Sequence, residues 1–550
     1  MSKGALVVGS GPAGLQAALD LAEAGIRVHL VERSPFLCPE PFGDAQDRPV
    51  EGLRGDGAGM PRHLLRPRLL ETSRHPHIQV LTNAEVARLT GERGDFRVEV
   101  QQHPRYVDPS ACTACSECVA VCPVTIQRPS DPLNAEKAIY KPEDGVPSVF
   151  AIEKRGPAPC KAACPAGIHV QGYVALIAQG RFQEALALIR EVIPFPSVCG
   201  RICHHPCESA CRRGEHDEPI AIRDLKRFVA DWETGQQGNE ERGDESPHSS
   251  LLPKVAIVGS GPAGLTAAYF LAREGHPVTV FEALPVAGGM MAVGIPEHRL
   301  PKDVLRREIE AIEELGVEIR LNTPVGRDGG PGLDELRREY DALFIAVGAH
   351  KSRRLGVSGE DLEGVLHGVD FLHRVNLGED VALGRRVIVV GGGDVAVDSA
   401  MVARRLGAQQ VTILYRRSRA EMPAHPWEVE EAEEEGIAFH FLASPVRVLG
   451  EKGRVVGLEC VRMELGEPDE SGRRRPIPIP GSEFTVEADT VIVAIGQAVD
   501  ASFLEAGGWE LGRGGRIAVD PLTLATGVPG VFAGGDAVTG PATVIEAIAA

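Results

Sequence analysis

Val7-Val8-Gly9-Ser10-Gly11-Pro12-Ala13-Gly14 decides the fold of this chain, because Ile257-Val258-Gly259-Ser260-Gly261-Pro262-Ala263-Gly264 repeats it. An acidic residue, Glu32 or Glu282, follows each copy at the same offset. An apolar strand, a G-x-G-x-x-G turn, a helix and a second strand ending in an acid form the βαβ unit that binds a dinucleotide. The glycines admit the pyrophosphate to the helix N-terminus, and the carboxylate accepts hydrogen bonds from the ribose. The predicted binding residues are Gly9, Gly11, Gly14 and Glu32 in the first unit and Gly259, Gly261, Gly264 and Glu282 in the second.

A third glycine turn, Val389-Val390-Gly391-Gly392-Gly393-Asp394-Val395-Ala396, is completed differently. Its second strand ends in Tyr415-Arg416-Arg417, where the first two units have Glu. A carboxylate there would repel the 2′-phosphate of NADP, whereas guanidinium groups hold it through charge-assisted hydrogen bonds. The third unit therefore predicts an NADP site, with Arg419 as an assisting residue. The predicted binding residues are Gly391, Gly393, Asp394, Ala396, Arg416 and Arg417.

The composition excludes several classes of function. The chain has 550 residues and a net charge of −19, which argues against a nucleic-acid-binding surface. An allowance of about 100–200 residues per domain predicts about three to five domains. No uninterrupted apolar stretch approaches the ~18 residues of a membrane span, and the N-terminal apolar segment contains Asp20 and Glu23. We therefore expect no membrane insertion and no signal peptide.

The cysteines are grouped as metal ligands are. Of the 12 cysteines, ten lie in two tight groups, a pattern typical of metal ligation in a reducing compartment, so we expect a cytoplasmic protein. The other two, Cys38 and Cys460, have no cysteine neighbour and are interpreted as structural thiols. A flavin disulfide reductase needs a close redox-active pair beside the flavin. Thiol–disulfide exchange is therefore not expected.

The first group has the spacing of a bacterial ferredoxin site. Cys112-x2-Cys115-x2-Cys118-x3-Cys122-Pro123 places four soft thiolates at the intervals that wrap one [4Fe–4S] cluster. Structural zinc usually takes two separated pairs, so zinc is the weaker interpretation. We predict that all four cysteines bind one cluster.

The second group consists of six cysteines in helical-looking sequence. They are Cys160, Cys164, Cys199, Cys203, Cys207 and Cys211. Six thiols fill one cluster and leave two over, so a second cluster would need ligands from elsewhere. His204 and His205 lie among the thiols, but histidine rarely ligates clusters and both are interpreted as solvated polar residues.

From about Gly156 onwards the chain resembles a known family, the NADPH-oxidising small subunit of bacterial glutamate synthase and its relatives, including the N-terminal part of dihydropyrimidine dehydrogenase. The segments that carry the resemblance are Phe195-Pro196, Gly200-Arg201-Ile202-Cys203, Pro206-Cys207-Glu208, Gly288-Gly289-Met290-Met291, Gly294-Ile295-Pro296, Gly391-Gly392-Gly393-Asp394, Tyr415-Arg416-Arg417 and Gly534-Gly535-Asp536. The resemblance implies a helical iron–sulfur domain followed by an FAD domain that an NADPH domain interrupts. It also implies that Glu282 binds the FAD ribose, that Gly289 lines the flavin site, that Gly535 and Asp536 meet the ribityl chain, and that the helix start at Thr543-Val544 faces the isoalloxazine. Family members with two clusters in the helical domain have a further C-x-x-C pair upstream of the position of Cys160. No cysteine lies between Cys122 and Cys160 in this chain, so we expect one cluster there.

Residues 1 to about 140 resemble a different family, the flavin-binding component of heterodisulfide reductase. Ser73-Arg74-His75-Pro76, Pro104-Arg105-Tyr106-Val107-Asp108 and the ferredoxin motif carry this similarity. The cysteine-bearing loop of that family is absent, and the chain has a single Gly-Asp closing motif for two flavin units. The first FAD fold thus has an opening half without a recognisable closing half. The chain stops at Ala550, inside the helix predicted after Gly535-Asp536, as a truncated reading frame would.

The predicted fold class is α/β: a flavoprotein with two dinucleotide-binding Rossmann-like domains, for FAD and for NAD(P), an α-helical iron–sulfur domain and a ferredoxin-like [4Fe–4S] insert. The predicted domains are an N-terminal Rossmann-like FAD half-domain (1–105), the ferredoxin-like insert (106–145), the helical iron–sulfur domain (146–231), a linker (232–253), the first part of the FAD domain (254–375), the NADPH-binding domain (376–489) and the closing part of the FAD domain (490–550).

The predicted function follows from the cofactors. Hydride transfer from NADPH to a flavin is chemistry that the cofactors carry, so the sequence requires no general acid or base and we predict no catalytic residue. We expect an NAD(P)H-dependent flavin iron–sulfur oxidoreductase that passes electrons from NADPH through FAD to at least two [4Fe–4S] clusters and on to a partner protein, an electron acceptor or donor subunit. Two alternatives stay open: an electron-relay subunit of a heterodisulfide-reductase-like complex that bifurcates electrons at a flavin, and a glutamate synthase small subunit.

Overall fold

The computed structural model of the chain describes residues 4–37, 62–92, 94–122, 124–128, 131–142, 145–154, 156–236, 252–327, 329–469, 472–500, 502–505, 509 and 511–550. Cys38 and Pro123 lie outside the described residues. The chain divides into two compact units, Met1–Pro157 and Ala158–Ala550.

The first unit is built on the first glycine turn. Its elements are β1 (Ala5–Val8), α1 (Pro12–Glu23), β2 (Val28–Glu32), α2 (Arg62–Arg74), β3 (Ile78–Thr82), β4 (Ala84–Glu92), β5 (Asp95–Gln102), α3 (Glu117–Val121), β6 (Thr125–Arg128), β7 (Asp131–Lys137), β8 (Ile139–Tyr140) and β9 (Ala151–Ile152). Strands β1, β2 and β3 form a parallel sheet in that order, and three antiparallel pairs follow, β4 with β5, β6 with β7 and β8 with β9. Leu15 and Leu19 of α1 pack on Leu30 of β2 because apolar residues three and four apart face one side of a helix.

The second unit begins with a helical domain. It contains α4 (Pro159–Ala162), α5 (Val170–Ala178), α6 (Phe182–Arg190), α7 (Pro196–Ile202), α8 (Pro206–Ser209) and α9 (Ile222–Gln236). Tyr173, Phe195 and Val198 are fully buried and belong to a core that continues into the next domain. Glu308 of that domain accepts hydrogen bonds from the Ser197 and Val198 amides at 2.5 and 3.0 Å, which satisfies the free N–H groups of α7. Helix α9 continues to Gln236, into the segment predicted as a linker.

The second glycine turn opens the next domain. Its first elements are β10 (Val255–Val258), α10 (Pro262–Arg273), β11 (Val278–Phe281), α11 (Met290–Val293), α12 (Lys302–Glu313), β12 (Glu318–Arg320), α13 (Leu333–Glu339), β13 (Ala342–Ile345) and β14 (Lys351–Ser352). Strands β10 and β11 are buried at every position, as expected for parallel strands covered on both faces.

The third glycine turn lies in an inserted domain. Its elements are β15 (Val365–His367), α14 (Gly368–Asn376), β16 (Arg386–Val390), α15 (Asp394–Arg405), β17 (Gln410–Tyr415), α16 (Pro426–Glu434), β18 (Ala438–Phe441), β19 (Ala443–Glu451), β20 (Arg454–Pro468), β21 (Arg474–Pro478), β22 (Phe484–Glu487) and β23 (Thr490–Val493). The parallel sheet has the order β15-β23-β16-β17-β18, and β19 to β22 form an antiparallel sheet. Strand β15 precedes residue 376, where the sequence placed the start of this domain.

The chain then returns to the second domain and closes its sheet. The last elements are β24 (Gln497–Ala498), α17 (Ser502–Glu505), β25 (Val531–Ala533), α18 (Asp536–Thr539) and α19 (Val544–Ala549). The completed sheet has the order β12-β11-β10-β13-β25, all parallel. The α/β class with Rossmann-like domains and a helical domain is therefore confirmed. Across the described residues we find no helix with the length and apolar character that crossing a bilayer demands.

Candidate flavin, NADP and iron–sulfur sites

The second glycine turn is shaped for a dinucleotide. Gly259 has φ +105°, and a Cβ there would lie 2.4 Å from the Ala346 carbonyl oxygen. A Cβ on Gly264 would lie 2.0 Å from the Gly259 oxygen, so α10 can approach β10 only with glycine there. Gly261 caps α10, and its missing side chain leaves the helix N-terminus open to a pyrophosphate.

Glu282 is held at the end of β11 by hydrogen bonds to the turn itself. It is 6 % exposed, and its Oε2 accepts from the Ser260 amide at 2.9 Å and from the Ser260 hydroxyl at 2.5 Å. Its Oε1 accepts from the Leu284 amide at 2.8 Å. The carboxylate thus stands where an adenosine ribose would meet it.

The first unit reproduces this geometry. Glu32 Oε2 accepts from the Ser10 amide at 2.7 Å and from the Ser10 hydroxyl at 2.6 Å, and its Oε1 accepts from the Ser34 amide at 2.7 Å. Gly9 has φ +94°, a Cβ on Gly14 would lie 2.0 Å from the Gly9 oxygen, and Gly11 caps α1. The serine shared by the two copies was a signal for this contact that sequence reasoning did not use.

A cavity of about 450 Å³ extends from the second glycine turn to the closing segment. Gly289 and Gly535 line it and need to be glycine: a Cβ on Gly289 would lie 2.7 Å from Gly261 Cα, and one on Gly535 would lie 2.6 Å from the Ala263 Cβ. Thr543 and Val544, at the start of α19, line the same cavity, so the residues that the resemblance assigns to a flavin lie together.

Asp536 tests whether this cavity fits FAD. Its Oδ1 is buried and has no hydrogen-bond partner among the described residues. Burial raises the pKa of Asp536 to about 6. A buried carboxylate oxygen without a partner costs free energy that a hydroxyl donor would recover, and the ribityl chain of a flavin supplies such hydroxyls. The residues present therefore fit FAD.

Two histidines in the cavity were missed at the sequence level. His350 and His373 line it with their ring centroids 6.2 Å apart. Burial lowers the pKa of both imidazoles, because it disfavours their charged forms. His373 Nε2 has no hydrogen-bond partner among the described residues, so it remains available to a ligand. Neither residue belongs to a motif, and only the fold brings them together.

The third glycine turn has the close packing of the second. A Cβ on Gly391 would lie 2.2 Å from the Ala494 oxygen, and one on Gly392 would lie 2.5 Å from the Tyr415 ring. Gly393 caps α15, and Ala396 in the first turn of that helix is fully buried against the strand. This turn can receive a second dinucleotide.

The two arginines after β17 have different environments. Arg416 is exposed, and no described residue forms a hydrogen bond or an ion pair with it. Arg417 is 4 % exposed; its Nε donates to the Arg474 carbonyl at 2.8 Å and its Nη2 to Asp469 at 2.5 Å. Arg419 pairs with Glu433 at 2.7 Å. Among the described arginines that follow this strand, only Arg416 has a guanidinium group without a hydrogen bond or ion pair.

Asp394, at the first position of α15, joins the helical domain to the third turn. His204 Nε2 lies 3.4 Å from Asp394 Oδ2, and the His204 ring lies 4.1 Å from that of His425. Burial would raise the pKa of Asp394, but the hydrogen bond and charge of His204 hold it below its usual value. The loop that carries Cys203 therefore abuts the predicted NADP turn.

The ferredoxin-type cysteines lie on one short loop and its following helix. Ala114 and Ser116, between the cysteines, adopt positive φ of 57° and 68°, which winds the chain tightly. Cys115 is exposed, while the other three are partly buried. These four cysteines are Cys112, Cys115, Cys118 and Cys122.

The six cysteines of the helical domain interact electrostatically in overlapping groups. The thiols of Cys199 and Cys207 each lie near enough to Cys164 and Cys203 to interact electrostatically. Cys160 interacts with Cys211 and with Cys164. Cys199 and Cys207 are buried; the others are partly buried.

Soft cysteine thiols are the ligands that a [4Fe–4S] cluster takes. Within the ranges the structure covers, no three His, Cys, Asp or Glu residues come close enough to share one metal ion. A [4Fe–4S] cluster instead carries one thiolate on each iron, so its four ligands stand apart around a cube. Buried thiols at the ends of short helices fit this group.

Three family models match the chain. The model described as pyridine nucleotide-disulphide oxidoreductase matches residues 253–550. The model for dihydropyrimidine dehydrogenase domain II, 4Fe-4S cluster, matches residues 154–238. An FAD binding domain model matches residues 3–58. The resemblance of residues 1–140 to the flavin-binding component of heterodisulfide reductase stays a prediction.

Curated relatives match about seven tenths of the chain. The chain is 54 % identical over 413 residues to the β subunit of an NADP(+)-dependent formate dehydrogenase from Moorella thermoacetica, with 71 % of this chain and 58 % of the relative covered. It is 48 % identical over 421 residues to the β subunit of NADPH-Fe(3+) oxidoreductase from Geobacter sulfurreducens, with 71 % and 62 % covered. It is 38 % identical to the NADPH glutamate synthase small chain of Halomonas elongata, with 74 % and 89 % covered. The chain thus spans about three fifths of the first two relatives.

Proposed function

Because this chain belongs to the NADPH-dependent FAD and iron–sulfur oxidoreductases of the glutamate synthase small-chain family, we propose that it is the NADPH-oxidising subunit of a larger oxidoreductase. In this role it takes electrons from NADPH, moves them through FAD to [4Fe–4S] clusters and delivers them to a partner protein. The observation that carries the proposal is that the flavin cavity, the third glycine turn and the six-cysteine domain lie in one compact unit.

The chain's own residues position the reactants. FAD held in the cavity would supply two-electron hydride chemistry with NADPH and one-electron transfer to clusters. Glu282 receives the FAD ribose, Asp536 the ribityl chain and the α10 N-terminus the pyrophosphate. The α15 N-terminus receives the NADPH pyrophosphate, and Arg416 receives its 2′-phosphate.

We assign at least two clusters to the chain. The ferredoxin-type loop binds one through Cys112, Cys115, Cys118 and Cys122. Cys164, Cys199, Cys203 and Cys207 bind another, since Cys199 and Cys207 both interact electrostatically with Cys164 and Cys203; Cys160 interacts with Cys211 and also with Cys164. The exposure of Cys115 suits the ferredoxin-type cluster for transfer to a partner, because electrons leave most readily from a cluster near the surface.

The partner is another subunit. The relatives from Moorella thermoacetica and Geobacter sulfurreducens are β subunits, one of an NADP(+)-dependent formate dehydrogenase and one of an NADPH-Fe(3+) oxidoreductase. We propose the same dependence for this chain: NADPH enters here, and a second subunit holds the site where the electrons are used.

An anaerobic titration of the reconstituted chain with NADPH and NADH tests the proposal. Flavin and cluster absorbance report reduction, and the electron count reports how many centres are loaded. We expect NADPH to bleach the flavin, the clusters to follow, and NADH to act far more weakly. A flavin that NADPH does not reduce would contradict the proposed function.

The electron-relay alternative has one observation in its favour. Glu32 makes the same three hydrogen bonds as Glu282, so the first unit retains a formed nucleotide turn. A relay subunit would hold a flavin there and would oxidise NADPH only when another subunit is added. Turnover of NADPH by the isolated chain with an artificial acceptor favours the first proposal over this one.

A further inference from the structure

Helices α7 and α9 touch at the backbone beside a cluster cysteine. A Cβ on Gly200 would lie 2.7 Å from Arg227 Cα, so only glycine permits this approach. Gly200 follows Cys199 on α7, and Arg227 follows Lys226 on α9. Lys226 also lies close enough to the Cys199 thiol for their charges to interact.

Lys226 is buried, and no described carboxylate is paired with its ammonium group. It is 4 % exposed, and no described acidic residue forms an ion pair with it. The neighbouring cations differ: Arg201 and Arg227 both pair with Asp231, at 2.8 and 3.5 Å. Burying an ammonium away from water costs free energy unless an anion compensates it. An anion other than an ion-paired carboxylate would therefore stabilise the charge of Lys226.

Two cysteine thiols lie within electrostatic range of Lys226. Its charge acts on both Cys199 and Cys207. A buried ammonium close to two buried cysteines is therefore placed where a cluster held by them would carry its negative charge.

We propose that Lys226 is the counter-ion of the [4Fe–4S] cluster in the helical domain: its ammonium compensates the negative charge of the cluster and its thiolates, and raises the reduction potential of that cluster. The inference rests on the proposed function for the cluster itself. Reduction adds one electron and breaks no bond, so it makes an anionic centre more negative. A fixed positive charge nearby stabilises the reduced state more than the oxidised state.

Lys226→Met removes the charge while keeping the length of the side chain, and Lys226→Arg keeps the charge. Both are made in the full chain, in a Cys112→Ser, Cys115→Ser background that leaves the helical domain as the source of the cluster signal. After anaerobic reconstitution, iron content and an EPR-monitored redox titration are measured for each variant. Arg227→Met is the matched control, because Arg227 is half exposed and paired with Asp231.

We expect Lys226→Met to bind iron normally and to lower the reduced-to-oxidised ratio at a fixed potential at least tenfold, about 59 mV for a one-electron couple. Lys226→Arg should stay within about twofold of the parent because it keeps the buried charge, and Arg227→Met should do so because water screens the charge that it removes. Equal potentials in the parent and Lys226→Met would overturn the inference.

Two further outcomes are decisive. If Lys226→Met assembles no cluster while Lys226→Arg assembles it, the charge is what the cluster needs, and the inference stands. Failure of both variants would assign Lys226 to packing and overturn it. A parent chain without iron or an EPR signal in this domain would instead overturn the proposed cluster, before any substitution is made, and this inference with it.

The apoprotein supplies a readout that does not depend on the cluster. Without the cluster, Lys226 is a buried charge with no anion, so Lys226→Met should unfold at a higher temperature than the parent apoprotein. When the cluster is bound, this increase in unfolding temperature should vanish or reverse, because the ammonium is then paired with the cluster. Equal effects of the substitution on the two forms would overturn the inference.

Discussion

Arg416 and Arg417 are neighbours in the sequence, but only Arg416 has a guanidinium group available to bind the 2′-phosphate of the coenzyme. Arg416 is exposed and uncommitted among the described residues, whereas Arg417 is buried against Asp469. We expect Arg416→Glu to lower kcat/KM for NADPH at least tenfold, or about 1.4 kcal/mol of transition-state stabilisation. The value for NADH should change little, because NADH lacks the 2′-phosphate that Arg416 binds.

Steady-state reduction of an artificial acceptor with each coenzyme measures this preference. Arg454→Glu is the matched control: Arg454 lies in the same domain, and its side chain is 72 % exposed beside Glu363. An unchanged NADPH preference in Arg416→Glu would mean that the 2′-phosphate is recognised elsewhere.

Asp398 makes stability depend on pH at the contact between the flavin and NADP-type domains. Arg299 donates to both of its carboxylate oxygens at 2.9 Å and also pairs with Glu428, so one cation serves two buried acids. Burial raises the pKa of Asp398 to about 7, despite the opposing charge of Arg299. The folded-state value thus exceeds the unfolded value of about 3.9, and the proton stabilises the folded state at acidic pH. This contribution is lost as the pH rises towards 7.

We expect Asp398→Asn to reduce the difference in unfolding free energy between pH 5 and pH 8 by about 1–3 kcal/mol, since one pKa unit corresponds to about 1.4 kcal/mol. Guanidinium denaturation followed by circular dichroism at the two pH values measures it. Asp217→Asn is the control, because Asp217 forms an exposed pair with Arg213. A pH dependence identical to that of the parent would rule out Asp398 as its source.

At the scale of elements, three glycine segments from distant parts of the chain line the flavin cavity together. They are the turn at Gly259 and Gly261, the start of α11 at Gly289, and Gly534-Gly535. Gly289 has φ +53°, and a Cβ there would lie 2.7 Å from Gly261 Cα. We expect Gly289→Ala to weaken FAD binding at least tenfold, because the α11 segment would be pushed off the pyrophosphate turn. Gly378→Ala is the control: Gly378 has φ +79° with no atom within 4 Å, so it carries only the backbone cost of about 1 kcal/mol. The measurement is the amount of FAD retained per chain after gel filtration. Equal retention in the two variants would contradict the proposed role of the Gly289–Gly261 contact.

The strand, turn and helix of each unit could be predicted from the sequence because their signals are local. The glycines, the capping positions and the acid that ends the second strand all fall within one βαβ unit. The roles of His350, His373 and Lys226 could not be predicted in this way, because each depends on packing between distant segments. Arg417 illustrates the same limit: its partner Asp469 follows a strand of another sheet, and nothing in Tyr415-Arg416-Arg417 reveals that contact.

At the scale of the whole molecule, the two copies of the first motif differ in what surrounds them. In the second unit β10 has a parallel neighbour on each side, β11 and β13, and Gly259 touches Ala346 beyond β13. In the first unit β1 pairs with β2 on one side, no described strand lies on the other side, and Val8 is 65 % exposed. A formed turn is thus present in both units, but among the described residues only the second has a closing segment such as Gly535-Asp536.

The number of flavins per chain follows from this difference. We expect one FAD per chain, because Glu32 can hold a ribose but no described segment of its unit supplies the contacts that Asp536, Thr543 and Val544 offer in the second. Glu282→Ala should therefore remove the bound flavin, and Glu32→Ala should leave it in place. Flavin released on denaturation, divided by the protein concentration, gives the count. Two flavins in the parent chain, with one lost in each variant, would show that the first unit is also loaded and would favour the electron-relay function.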